Sequence, residues 1–204
     1  MSTTPADNVI SLYREHADAF VRLRGTQLVE RGWLEDFLAL LPGSDPAVLD
    51  LGCGTGAPIA RHLIGRGCRI TGIDASDALL ARARTAFPGH CWIEADMRNL
   101  PPLPAFQGLI AWHSFFHLKP EDQRPMFQVF ERLAAPGAAL MFTSGTHLGE
   151  AIGQFEGQPL YHGSLDSAEY RELLREAGFE VVRHVEGDPV CGGANVWLAR
   201  HVNL

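Results

Sequence analysis

The residues able to do chemistry begin at the stretch Val48-Leu49-Asp50-Leu51-Gly52-Cys53-Gly54-Thr55-Gly56-Ala57-Pro58. An apolar run of β type leads into Asp50, three alternating glycines follow, and Pro58 stands where a helix would begin. The pattern predicts a strand, a tight loop and a helix. The first glycine permits the sharp exit from the strand, and the later ones remove the β-carbon where a ligand or the helix must lie close. A helix opening near Pro58 aims free amides into the loop, because proline at the first helical position gives up no needed donor. A nucleotide cradle is the chemistry implied. Gly52, Gly54 and Ala57 satisfy a dinucleotide fingerprint in its final-alanine form, with Asp74 downstream where a ribose-binding acid is expected. Nicotinamide chemistry is therefore allowed, and the glycines alone do not choose the nucleotide.

Further reactive side chains follow in order. Asp50, Asp74 and Asp96 recur at the ends of successive predicted strands, so all three project towards one rim of a sheet. His113 and His117 come just after Trp112 at the end of a fourth strand. Imidazole changes charge near neutral pH, so either suits a general base, and His113 ranks first for its closeness to the strand end. Tyr161-His162 and the Asp188 to Gly193 loop are candidates for a substrate pocket. Cys53, Cys68, Cys91 and Cys191 lack metal-type spacing, so no metal is expected, and no partner can be assigned that would make Cys191 a nucleophile.

The elements that must position these residues are an N-terminal helical region and an alternating core. Leu12, Tyr13, Ala17 and Phe20 predict a first amphipathic helix stopping near Gly25, and Leu34, Phe37, Leu38 and Leu41 a second, ended by Pro42-Gly43. Strands are expected at Val48 to Asp50, Arg69 to Asp74, Trp92 to Ala95, Gly108 to Trp112 and Ala138 to Phe142. Helices fall between most of them: Ala57 to Ile64, Ala78 to Ala86 with Ser76 as cap, and the stripe Met126, Val129, Phe130 and Leu133. Such alternation means a parallel sheet with helices on both faces. A glycine-rich stretch from Thr143 to Ser164 reads as too irregular for another unit, either a solvated loop or a lid. A helix around Tyr170 to Ala177 then precedes strands at Phe179 to Val185 and Ala194 to Arg200, whose connection is too short for a crossover and so predicts an antiparallel hairpin.

Gly52-Cys53-Gly54-Thr55-Gly56, with Asp50 ahead of it, resembles motif I of the class I S-adenosylmethionine (SAM) dependent methyltransferases, whose usual form is Asp-Leu-Gly-Cys-Gly-Thr-Gly. The closing hairpin also resembles the end of that family's sheet. The resemblance implies an α/β, Rossmann-like, mostly parallel seven-stranded sheet with a C-terminal antiparallel hairpin, SAM as cofactor, and methyl transfer to a small-molecule acceptor. By the same resemblance Asp50 helps organise the methionine part of SAM, and the loop residues Gly52, Cys53, Gly54 and Gly56 bind the cofactor. Asp74, beside Ala75, takes the ribose hydroxyls, and Asp96 takes the adenine amino group with Met97 sheltering the ring. Tyr13 on the N-terminal helices and Trp112 are expected to line the site. Phe106-Gln107 departs from the family's usual Phe-Asp before the fourth strand, which weakens any role for position 107. A nicotinamide-dependent oxidoreductase and a non-catalytic SAM-binding protein are the alternatives.

Methyl transfer from a sulfonium needs acceptor, methyl carbon and sulfur in line, and positioning can carry much of the catalysis. A base at His113 or His117, and substrate contacts from Tyr161 and His162, complete the expectation. The 204 residues fit one domain, read as N-terminal helices (1–44), SAM-binding core (45–145), possible substrate lid (146–165) and C-terminal helix with hairpin (166–204). A net charge of -7 with 17 lysines and arginines disfavours a general nucleic-acid surface. No apolar run reaches membrane-spanning length and the opening residues lack a signal-peptide pattern, so a cytoplasmic location is expected. Nothing in the sequence bears on oligomeric state.

Overall fold

Apolar residues alternate between two cores along the central strands. Leu49, Leu51, Leu109, Ala111, Leu140 and Phe142 enter one core, while Val48, Ile110, Ala139 and Met141 enter the other. Side chains of a strand point alternately to opposite faces, so strands apolar at every position must be covered on both sides. The computed structural model describes residues 4–202. Three helices come first: α1 (Pro5–Glu15), α2 (Ala17–Arg24) and α3 (Arg31–Leu40). The core follows as β1 (Ala47–Leu51), α4 (Ile59–Gly65), β2 (Arg69–Asp74), α5 (Asp77–Ala86), β3 (Cys91–Glu94), β4 (Phe106–Ala111), α6 (Pro120–Leu133) and β5 (Ala134–Ser144). A hairpin of β6 (Gly149–Phe155) and β7 (Gln158–Ser164) precedes α7 (Ser167–Glu176), β8 (Phe179–Asp188) and β9 (Ala194–His201).

The main sheet has seven strands in the order β3-β2-β1-β4-β5-β9-β8. β1 to β5 run parallel, and β9 is antiparallel to both β5 and β8. The expected α/β sheet and closing hairpin are therefore present. Strand order reverses between β1 and β4, the switch point beside which α/β sheets bind ligands. Gln107 accepts from the Ala47 amide at 2.8 Å, tying β4 to the start of β1. The residue that departs from the family pattern thus works in the sheet.

Four local expectations change. The first helix is broken at His16 (φ -108, ψ 31), which lets α1 lie against the β6–β7 hairpin. Pro58 stands at the N-cap of α4 and not inside its first turn. Ser76 occupies the N-cap of α5, but its hydroxyl makes no capping bond. The stretch expected to be irregular is an antiparallel hairpin, turned by Glu156 and Gly157, both at positive φ, as a two-residue type I′ loop requires. Phe155, Leu160 and Tyr161 pack it on Val9 and Leu12 of α1.

Candidate functional site

β1 delivers Asp50 and the glycine loop to the switch point. Gly52 has φ +75, and a β-carbon there would lie 2.2 Å from Cβ of Ser114, so only glycine lets the β1 and β4 loops meet. At Gly56 (φ +72) an added β-carbon would come within 2.8 Å of the Trp92 ring. Four of the loop's amides are already committed. Those of Gly52 and Cys53 donate to the Ile73 carbonyl, that of Gly56 to Cys53, and that of Gly54 to Oδ2 of Asp74. A pyrophosphate needs such amides free, so their commitment weighs against the dinucleotide reading.

The three strand-end acids differ in state. Asp50 is buried, and burial, with the charge of Asp74 beside it, pushes its carboxyl up to about 7. Asp74 accepts from Gly54 and Ser76 amides at 2.8 Å each, bonds that oppose the upward push of burial. Burial also works to raise Asp96, but Arg98 outweighs it and holds that carboxyl below its ordinary value. Arg98 grips Asp96 through Nε and Nη2 and reaches Asp122 through Nη1. The Cys53 thiol is raised well above its ordinary range by burial and by Asp50 and Asp74, so it stays protonated.

β4 ends in a second cluster. Trp112 is buried, with an indole N–H that has no partner. His113 adopts a left-handed backbone (φ 50), unusual away from glycine and concentrated at functional sites, and its amide donates to Thr143 Oγ1 at 2.9 Å. Its ring lies against Trp112 and Phe116 and borders cavity space, and desolvation there lowers it to about 4. His117 Nδ1 lies 2.9 Å from the Tyr161 carbonyl, which can only accept, so Nδ1 carries the proton. Nε2 is then the acceptor for the Tyr13 hydroxyl at 3.0 Å. Burial lowers His117 to about 4 and raises Tyr13 to about 12, so both are neutral at pH 7.

These groups surround one cavity of about 160 Å³. It brings together Tyr13, Asp50, Gly52, Cys53, Gly56, Asp74, Ala75, Asp96, Met97, Trp112, His113 and His117. Gly54 does not line it: the Phe20 ring covers that glycine, and its contribution is the amide held by Asp74. His113 also borders a second cavity of about 500 Å³, together with His162 and the hairpin. Tyr161 lines neither cavity, since its hydroxyl donates to Glu150 and its carbonyl holds His117. Cys191 is a buried core thiol.

A family model described as "Methyltransferase domain" matches residues 48–137, the stretch that carries the loop and all three acids. Over that stretch the chain is similar to a methyltransferase domain. The chain is 29% identical over 173 residues to a trans-aconitate 2-methyltransferase of Rhodopseudomonas palustris, an alignment covering 79% of the chain and 64% of that relative. The chain spans between about a quarter and two thirds of the length of the first curated relatives it matches. In fold it is similar to the DhpI–S-adenosylhomocysteine complex (TM-score 0.73, 20% identity, all of both chains). It is similarly close to magnesium protoporphyrin IX methyltransferase from Synechocystis with bound SAM (TM-score 0.73, 17% identity, 98% of each chain).

The first cavity also holds residues that the sequence did not single out. Arg24 of α2 reaches it while ion-paired to the fully buried Glu30. Ser76 presents a buried hydroxyl with no partner. Phe20 packs edge-on against Tyr13, with ring centroids 5.5 Å apart, and closes the loop from above. An arginine on a short helix carries no spacing signal, whereas Ser76 was visible only as a cap.

Proposed function

We propose that this protein binds SAM in the first cavity and transfers the methyl group to a small-molecule acceptor. The observation that carries the reading is the convergence of Asp50, Asp74 and Asp96 on one cavity with the glycine loop. Two buried polar atoms in that wall, Ser76 Oγ and Trp112 Nε1, have no protein partner, as expected of donors kept for a ligand. In this reading Asp74 takes the ribose hydroxyls and Asp96 with Met97 the adenine, while Asp50 faces the positively charged methionine end. Carboxylates suit these tasks because charge-assisted bonds are stronger than neutral ones.

When bound, SAM supplies a methyl group activated on a sulfonium. The chain's own residues orient and shield: Tyr13 and Phe20 close the loop side, and Trp112 walls the β4 end. Neutral His113, at the boundary of the two cavities, can receive a proton from an acceptor. The test is calorimetric titration with SAM, S-adenosylhomocysteine and NAD, followed by an assay for methylated product. Binding of SAM and its product without NAD supports the reading, whereas NAD binding alone would replace it with a dehydrogenase. SAM binding with no acceptor methylated would indicate a non-catalytic SAM-binding protein.

A further inference from the structure

The second cavity lies between the end of β5, the β6–β7 hairpin and the β8–β9 connection, and it meets the first only at His113 among their lining residues. Its wall contains no lysine or arginine, and its one charged side chain is Glu150. Oε1 of Glu150 accepts from the Tyr161 hydroxyl at 2.9 Å, which fixes the carboxylate and leaves it further acceptor capacity. His113, His147 and His162 add imidazole nitrogens, and Phe116 an aromatic face. The cations of the first cavity are already spoken for: Arg24 by Glu30, Arg98 by Asp96 and Asp122, and Lys119 by Asp7. Among the described residues of the two walls, every lysine and arginine is thus ion-paired. A tricarboxylate such as trans-aconitate would bring several negative charges up to Glu150, with no lysine or arginine in the wall to offset the repulsion.

We infer that the second cavity is the acceptor site and that its acceptor is a small primary amine, held by Glu150 and Phe116 with its nitrogen towards His113. The inference deepens the methyltransferase reading and rests on it. An ammonium group attracts both a carboxylate and an aromatic face. Arriving protonated, the amine gives its proton to solvent. Its freed lone pair forms the N–C bond as the C–S bond breaks, and the electron pair of that bond goes to sulfur. The products are S-adenosylhomocysteine and a methylated ammonium.

The test uses the whole chain saturated with S-adenosylhomocysteine, titrated calorimetrically with primary amines from benzylamine to tryptamine and, separately, with trans-aconitate. The expected result is saturable amine binding, no trans-aconitate binding, and at least about tenfold weaker amine affinity in Glu150→Lys. Amine binding unchanged in Glu150→Lys, or trans-aconitate binding where no amine binds, would overturn the assignment. Methyl transfer from SAM to the best-bound amine is the second readout, and its absence would equally count against the assignment. Failure of S-adenosylhomocysteine itself to bind would overturn the underlying cofactor reading, an outcome separate from failure of the amines alone.

Discussion

The hydroxyl of Tyr13 donates to Nε2 of His117 across 3.0 Å, and Nδ1 of the same ring donates to the Tyr161 carbonyl. One neutral imidazole thus joins the N-terminal helix, the end of β4 and the hairpin. His117 is a positioning residue, and a base in reserve only if Tyr13 moves away. Tyr13→Phe leaves a buried nitrogen unpartnered and should cost about 1–3 kcal/mol of stability. His117→Gln, which keeps an acceptor near Tyr13, should retain SAM affinity better than His117→Ala. Chemical denaturation and calorimetry check the two statements, and equal SAM affinities in Gln and Ala variants would refute the positioning role.

Asp74 serves the protein before it serves a ligand, because both its oxygens already hold backbone amides. Asp74→Ala should therefore weaken SAM binding and also loosen the loop. Loss of a charged hydrogen-bond acceptor predicts about 1.5–3 kcal/mol, roughly ten- to hundredfold in affinity. Asp74→Ala with unchanged SAM affinity would remove the ribose assignment.

Asp50, raised to about 7 by burial, makes SAM binding sensitive to pH. The ionised carboxylate favours the cationic end of SAM, so affinity should rise as pH climbs towards 7 and level off above it. Binding near pH 6 should release protons, and Asp50→Asn should lose both effects. Calorimetry in buffers of different ionisation enthalpy measures the release directly.

Stability carries the opposite imprint of the same burial. His117, at about 4 in the folded chain against 6.5 in the unfolded, contributes stability that is complete above pH 6.5 and lost as pH falls towards 4. His113 and His162, also lowered by burial, act in the same direction. Asp50, raised from 3.8 to about 7, contributes stability that is complete below 3.8 and lost as pH rises towards 7. The two trends oppose each other between about pH 4 and 6.5. Asp50→Asn should therefore show a steeper fall in stability on acidification than the parent, measured by denaturant unfolding across that window.

Much of this was legible in the sequence because the signals are local. The acid-glycine loop, the strand-end acids and the two-faced apolar strands each follow from spacing, and the short β8–β9 connection dictated an antiparallel pair. What was hidden depends on partners distant in the chain. β6 exposes most of its residues, so no alternation marks it, and its mate β7 is held by α1. Tyr161 looked like a substrate contact, yet its aromatic ring is consumed by packing and its polar atoms by Glu150 and His117. Arg24 lies on α2, beyond the break at His16, and reaches the cavity wall from there.

The most direct measurement is calorimetric titration of the purified protein with SAM, S-adenosylhomocysteine and NAD, paired with thermal unfolding in each ligand. A ligand that binds only the native state raises its stability by mass action. SAM and S-adenosylhomocysteine should bind and stabilise while NAD does neither. Stabilisation by NAD alone, or by none of the three in a protein shown to be folded, would contradict the account.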